Sequence, residues 1–402
     1  MTMIGLDVEL TDEERTIRDT IHKFAAQILR PIGEKLDKLA DPQDVIATSS
    51  PLWGVFEKYR ELGLDVASIA SSGLAPVQQA RVRAIVAEEI GWGDTGLGTA
   101  LAVADFPGMM ARMTGKPELI ERFGADDCIG CWAGTEPDHG SDLIVYMNKP
   151  ELAAKALSRP NCIARKDGDS FVLNGQKAAW VSNGTIANAA ALFCAVDMGD
   201  GKPSSGGFVV PLDVPGVSRG KPLDKIGQRA LNQGEIYFDD VRIPADYMTI
   251  GPDLYGFALE SILCQANSGM GSSFTGLAQA ALDLALDYAR QRVQGGKPII
   301  EHQNVKARLF EMFRKVEAAR ALNRRVVLYN SLSSAPQLQY AIASKVTSTE
   351  TAFEVASAAL QIFGGNGLAR EYPIEKLLRD ARASMIEDGC NEVLSLVGAD
   401  RL

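Results

Sequence analysis

No run of apolar residues in this 402-residue chain approaches the roughly 18–20 that a membrane helix needs. The longest, such as Ala189 to Val196, have the length of core strands. The opening stretch MTMIGLDVELTDEE lacks a basic region and an apolar core, and its first arginine is Arg15, so neither a signal nor a transit peptide is expected. Cysteine is scarce: six residues do not make a disulfide framework, which points to a reduced, cytoplasmic compartment. Only three histidines occur, His22, His139 and His302, and they are far apart. Cys128 and Cys131 form a C-x-x-C with no second pair at zinc-finger spacing. They read as small core hydrophobes, and no metal is expected. Positive charge is also short. Lys plus Arg is 41 against 51 for Asp plus Glu, a net charge of −10, so nucleic acid and anionic membranes are poor partners.

What is present is an ordinary globular composition, 46% hydrophobic and 23% charged. At this length it divides into two or three domains. From Leu10 to about Phe123 the pattern is helical. Thr11 and Glu14 form a capping box, and Ile17, Ile21, Phe24 and Ile28 recur at helical spacing up to Pro31, which ends the predicted helix. A second helix fits Pro51 to Leu62, ending at Gly63, and a third Val77 to Ile90, stopping at Gly91. Helical pattern returns over Gly98 to Met113.

From about Cys128 to Pro244 the signals become strands. Ile163–Arg165 and Ser170–Leu173 flank Lys166-Asp167-Gly168-Asp169, a hairpin signal. Ala189–Asp197, Gly207–Asp213 and Gly234–Val241 are further strands, and a helical or looped insertion spans Lys149 to Ser158. About eight short strands suggest a small barrel or sandwich. After Tyr255 the chain is helical again, with a stripe of Val305, Leu309, Met312, Phe313 and Val316. Long helices follow over Tyr340–Phe363 and Ile374–Ile386, with spacing that fits an antiparallel bundle. The class is α+β, in the order all-α, all-β, all-α.

Two glycine clusters carry chemistry. Thr135-Glu136-Pro137-Asp138-His139-Gly140-Ser141-Asp142 follows a strand, and its Gly-Ser turn allows close approach to a phosphate. Gln361-Ile362-Phe363-Gly364-Gly365-Asn366-Gly367 has more glycine than a helix cap requires. No strand precedes it, so it is not a dinucleotide fingerprint. Neither a Walker A sequence nor a Gly-x-Ser-x-Gly elbow occurs.

Six ordered segments carry a resemblance. They are LTDEERTIRDTIHKFAAQILRP, TEPDHGSD, NGQKAAWVSNG, FDDVRIP, GLAQAALDLALDYARQRVQGGKPIIEHQNV and QIFGGNGLAREYPIEKLLRDAR. Over nearly its full length the chain resembles the acyl-CoA dehydrogenase flavoprotein superfamily. The resemblance implies an N-terminal α-helical domain over 1–127, a middle β-barrel domain over 128–245 and a C-terminal four-helix bundle over 246–402. It also implies FAD between the β domain and the C-terminal helices, an acyl-CoA substrate, an electron-transfer flavoprotein as acceptor, and a homotetramer.

By the same resemblance Thr135 meets the flavin ring, Trp180 packs on it and the Ser182 hydroxyl reaches its N5. Trp132, Gly134 and Gly140 belong to the same cofactor set, and Ser141 lies beside both the pyrophosphate and the acyl-CoA. Arg292, Gln303, Gln361, Gly364 and Gly365 match positions that hold the FAD phosphates and adenosine, partly from a neighbouring subunit.

The family's base is commonly a glutamate before a glycine; here that position is Asp388, followed by Gly389 and Cys390. The earlier-helix alternative falls at Ala266, which cannot act as a base, and the active-site arginine beside it is replaced by Asn267. Gly295 and Cys390 are further departures, Cys390 lying near the cofactor. Asp388 is therefore the expected base, Glu387 is second, and Ser141, Asn267, Asp388 and Gly389 are the expected substrate contacts. Asp is one methylene shorter than Glu, roughly 1–1.5 Å. In the family that it resembles, an aspartate base goes with atypical substrates, including alicyclic acyl-CoAs, so the resemblance implies a cyclic, branched or steroid-derived acyl group over a straight one. Two alternatives stand beside this reading. One is a nitroalkane oxidase-like enzyme, suggested by Asp388-Gly389-Cys390-Asn391; the other is a non-catalytic partner subunit, suggested by Asn267.

Overall fold

The first helix begins where the capping box predicts. The Glu14 amide donates to Thr11 Oγ1 (3.2 Å) and the Thr11 amide to Glu14 Oε2 (2.7 Å). The computed structural model describes residues 10–125, 127–146, 160–202 and 204–402. The expected insertion over Lys149–Ser158 lies outside them.

Helix α1 (Asp12–Phe24) does not stop before Pro31. It passes through a π turn over Ala25–Leu29 into α2 (Arg30–Asp37). The widened turn accommodates a proline that lacks an amide and would clash in a regular α turn. The Arg30 guanidinium lies 3.5 Å over the Trp92 ring, tying this helix to the next long one. Helices α3 (Leu52–Leu62), α4 (Val66–Ser71), α5 (Pro76–Gly93), α6 (Thr95–Ala104), α7 (Phe106–Thr114) and α8 (Pro117–Phe123) follow. Gly63 ends α3 in the left-handed conformation, as predicted.

Gly91 does not end α5. A Cβ on Gly91 would lie 1.9 Å from the Ser273 carbonyl oxygen, and one on Gly276 would lie 1.9 Å from the Glu88 carbonyl oxygen. These glycines let α5 touch the backbone of the first C-terminal helix. Glu88 secures the crossing from α5, accepting from Arg320 (2.8 Å) and Arg324 (2.7 Å).

Eight strands form one sheet: β1 (Gly130–Ala133), β2 (Ile163–Asp167), β3 (Ser170–Lys177), β4 (Ala189–Asp197), β5 (Ser204–Pro211), β6 (Val217–Arg219), β7 (Ile236–Pro244) and β8 (Met248–Ile250). Its order is β6-β7-β3-β2-β4-β5-β8, with β1 parallel to β4. The β2–β3 hairpin pairs Asp167 with Ser170, as the turn signal predicts. β4 is apolar throughout because both its faces are covered. Ala190, Leu192, Cys194 and Val196 meet Phe171 and Phe208, whereas Ala189, Ala191 and Phe193 meet Met110, Phe123 and Ile262. A short helix, α9 (Asp142–Tyr146), follows β1.

The C-terminal helices are α10 (Tyr255–Gln291), α11 (Gln303–Leu332), α12 (Leu338–Phe363), α13 (Ile374–Ser384) and α14 (Asn391–Ala399). Phe274, Leu277, Val316, Val355, Phe363 and Ile374 share their core. No described helix is long and apolar enough to cross a membrane.

The α5–α10 crossing makes a direct prediction. Gly91→Ala forces a methyl onto backbone that cannot yield, and should cost about 1–3 kcal/mol, read as a lower urea midpoint. Gly54→Ala on α3 is the control. No atom lies within 4 Å of the point its methyl would occupy, so it should be neutral or stabilise by up to about 1 kcal/mol.

Candidate active site

β1 delivers the segment Gly134–Asp142 to the rim of the sheet, where a buried ion pair anchors it. Lys177 and Glu136 are both 0% exposed, 2.6 Å apart. Lys177 Nζ also donates to the carbonyls of Gly134 (3.0 Å) and Phe193 (2.7 Å). Glu136 in turn accepts the amides of Asn161 (2.6 Å) and Cys162 (3.2 Å). These bonds compensate the desolvation of both charges. The Ala178 amide donates to the Thr135 carbonyl (2.9 Å), so Thr135 lies beside the segment leading to Trp180. Gly140 donates its amide to Asp142, whose other carboxylate oxygen lies 2.9 Å from His139 Nδ1. Trp132 turns its ring away into packing, 4.5 Å from Phe193 and 5.3 Å from Phe106.

Trp180 is 59% exposed, an indole face left open beside polar groups. Next to it Ser182 Oγ accepts from Gln233 Nε2 (3.1 Å), which also donates to the Trp180 carbonyl (3.2 Å). Lys225 Nζ donates to Gln233 Oε1 (2.8 Å), which fixes the orientation of that amide. Gln228, on the same loop, donates from Nε2 to Glu387 Oε1 (2.7 Å), and its backbone amide donates to Asp380. Sequence reasoning did not find this loop, because its residues show no periodicity and act through single polar atoms.

The turn after α13 carries Asp388 (φ 51°) and Gly389 (φ 90°), both left-handed. It is closed by the Asn391 amide on the Met385 carbonyl (3.0 Å). The Cys390 amide donates to Ser141 Oγ (3.0 Å), so the two sequence motifs meet here. The Asp388 amide donates to no acceptor among the described residues. Its side chain keeps solvent-facing surface although the chain crowds around it. Burial raises its pKa, and the buried Lys345 ammonium opposes that rise. Glu387 is pushed up to about 7, mainly by burial and then by the Asp388 charge, while Gln228 pulls the other way. Asn267 is fully buried on α10, its Nδ2 bound to the Leu263 carbonyl (3.0 Å) and its Oδ1 without a partner. The residue expected to contact substrate is thus a buried amide with one polar atom left over.

A second group gathers at one end of the C-terminal helices. Arg292 follows α10, Gln303 opens α11, Gln361 closes α12, and Gly364 (φ 62°) and Gly365 follow; all five are exposed. Tyr288 stacks on Phe363 at 4.1 Å and accepts from Asn366 Nδ2 (3.0 Å), joining the end of α10 to the glycine turn. Gly295 (φ 63°) and Gly296 (φ 82°) turn a two-stranded ribbon between Val293–Gln294 and Lys297–Pro298, which accounts for glycine at 295. Among the described residues no cluster of three or more His, Cys, Asp or Glu could hold a metal ion.

The domain families described as "Acyl-CoA dehydrogenase" N-terminal, middle and C-terminal match residues 11–126, 131–241 and 264–402. The chain belongs to the acyl-CoA dehydrogenase family. The short-chain specific acyl-CoA dehydrogenase of Rattus norvegicus mitochondria is 32% identical over 401 residues, covering 98% of this chain and 91% of that protein. The Homo sapiens protein of the same name is 31% identical over 406 residues, with the same coverage. Butyryl-CoA dehydrogenase from Megasphaera elsdenii superposes with a TM-score of 0.82 at 25% identity, covering 98% and 99% of the two chains. A glutaryl-CoA dehydrogenase of Mycobacterium smegmatis, solved with FADH2, shares the fold with a TM-score of 0.83 at 23% identity, covering 98% and 96%.

This acyl-CoA dehydrogenase is an FAD-dependent oxidoreductase acting on acyl-CoA thioesters. The donors of the two groups suit that cofactor. The hydroxyls of Thr135 and Ser182 beside an open indole match an uncharged polar ring system. A guanidinium, two carboxamides and a glycine turn match a pyrophosphate and its nucleoside.

Glu387 yields a pH test. Its folded pKa of about 7 lies above the ordinary carboxylate value of 4.5, so the folded state binds the extra proton between them. Wild-type stability should therefore fall relative to Glu387→Gln as pH rises from about 5 to 8, by at most about 3 kcal/mol. Parallel melting curves across that range check the sign.

Proposed function

We propose that Asp388 is the general base, and that it abstracts the α-proton of a cyclic, branched or steroid-derived acyl-CoA. The observation that carries the reading is the contrast between two neighbouring carboxylates. One carboxylate, Asp388, keeps an open surface, while its neighbour Glu387 is tied to Gln228. The uncommitted Asp388 amide is suited to receive the thioester carbonyl oxygen, where it would stabilise charge developing on the enolate. Thr135, Ser141, Trp180 and Ser182 would hold FAD on the sheet side, and that group would supply the acceptor for the β-hydride. Burial lifts the base from an ordinary carboxylate toward working pH, which general-base catalysis favours. A carboxylate one methylene shorter than Glu asks the substrate carbon to lie about 1 Å closer, a shift large enough to select acyl shape.

The reduced cofactor would pass its electrons to an electron-transfer flavoprotein. Arg292, Gln303, Gln361, Gly364 and Gly365 would complete the nucleotide end of the site for a neighbouring copy in a homotetramer. Their exposure at the bundle end supports that reading. The compartment would be the cytoplasm, as the six unpaired cysteines suggest.

Anaerobic mixing with a panel of acyl-CoA thioesters tests both parts. Cyclic or branched thioesters should bleach the flavin faster than straight ones. Asp388→Asn should still bind acyl-CoA but lose flavin reduction by about 10²–10⁴-fold. Glu387→Gln should keep most of the rate; the reverse pattern would move the base to Glu387. Dilution that dissociates the oligomer should release FAD, and a monomer retaining full FAD would rule out the shared site.

A further inference from the structure

Lys345 is one of the largest fully buried side chains of the molecule, at 0% exposure. It sits on the packed face of α12 with Leu338, Ala341, Ile342, Thr349 and Ala352. A buried ammonium costs several kcal/mol unless it is hydrogen-bonded and faced by opposite charge. Its Nζ donates to the Gly389 carbonyl (2.9 Å) and to Asn391 Oδ1 (2.8 Å), neither of them ionised. Asn391 Nδ2 donates to Thr349 Oγ1 (3.0 Å), and Thr349 Oγ1 donates to the Lys345 carbonyl (2.9 Å), which closes a ring on one turn of α12. The charged and titratable groups whose fields reach the ammonium are Asp388, Glu387, Cys390 and Glu392, none of them in an ion pair with it.

One peptide unit is therefore held at both ends. Lys345 takes its oxygen, the Gly389 carbonyl, and Ser141 takes its N–H, the Cys390 amide (3.0 Å). The two residues before this unit's nitrogen, Asp388 and Gly389, are both left-handed. For a non-glycine residue that conformation is uncommon, though aspartate adopts it more readily than most, and the two bonds hold the turn in it.

We propose that Lys345 is the positioning residue of the dehydrogenation base: it pins the Gly389–Cys390 peptide opposite Ser141, and its buried charge faces the Asp388 carboxylate. The proposal rests on Asp388 being the base. Without the cation, the burial that raises the Asp388 pKa would act unopposed. With it, that rise is opposed, and the turn is fixed before binding.

Lys345→Met removes both charge and clamp with little change in shape. Flavin reduction should slow by about 10–100-fold with the KM for the thioester within about threefold. The acidic limb of the rate profile should move up by about one pH unit or more. Lys345→Gln, which keeps a donor but no charge, should show the same limb shift with a smaller rate loss, and it serves if the Met variant does not fold. Asn391→Ala, which keeps the charge, should slow the reaction and leave the limb in place.

A second readout needs no turnover. Burial brings the Lys345 pKa from 10.5 to about 8, so the unfolded chain binds more protons between those values. Wild-type Tm should therefore gain on that of Lys345→Met between pH 8 and 10. An unmoved acidic limb in both Lys345 variants, while Asp388→Asn abolishes reduction, overturns the role of Lys345 alone. If Asp388→Asn keeps reduction, the base assignment falls and this proposal with it.

Discussion

A single buried ammonium joins all three parts of the chain. Lys376 Nζ, on α13, lies 2.6 Å from Asp94, between α5 and α6, and 2.5 Å from Asp380 one helical turn on. All three side chains are at most 6% exposed. Two carboxylates and one ammonium removed from water are costly unless the carboxylate oxygens are used. Here they are used: Asp94 also caps α6 through the Leu97 amide (2.8 Å), and Asp380 accepts the Gln228 amide from the β domain. Beside the triad Arg379 spans the same boundary, pairing with Asp37 of α2 and donating to the Ile226 carbonyl. Helical domain, sheet loop and bundle therefore cannot move independently without stranding a buried charge.

That constraint reaches the candidate site through Gln228. Its backbone is fixed by Asp380, and its side chain is consequently placed on Glu387. Two adjacent carboxylates are thus given different surroundings, which is how one site separates the roles of chemically similar acids. Glu387 holds its proton up to about 7 against a carboxamide. Asp388 faces a lysine that favours its ionised form. Glu387 is occupied with architecture, and Asp388 is left accessible.

Much of the scaffold was legible because it depends on local rules. Thr11 and Glu14 mark a cap, Asp167–Asp169 a hairpin turn, and Ala189–Asp197 a strand buried on both faces. The misreadings share one cause, tertiary contact overriding a local rule. Pro31 ends a helix by propensity, yet a π turn absorbs it; Gly91 reads as a stop but is a backbone crossing point. Of the candidate site, the structure brings Ser141 to the Cys390 amide beside Asp388, and it buries Asn267 on α10. Lys345 does carry a signal in the sequence: a lysine at i, i+3, i+4 spacing among Leu338, Ala341, Ile342 and Thr349, where only an apolar residue is expected. Gln228 and Gln233 carry none, since a loop carboxamide has no pattern until its partners are known.

The shorter base and the turn that carries it are physically linked. Aspartate tolerates the left-handed region better than most residues, because its short polar side chain is compatible with it. A longer side chain at φ 51° would gain reach while losing that tolerance, and it would extend from a backbone already held by Lys345 and Ser141. The turn cannot relax to accommodate it without breaking a bond to a buried ammonium. Length at this position is therefore set by the backbone as much as by the substrate, and the acyl group must come to the carboxylate rather than the reverse.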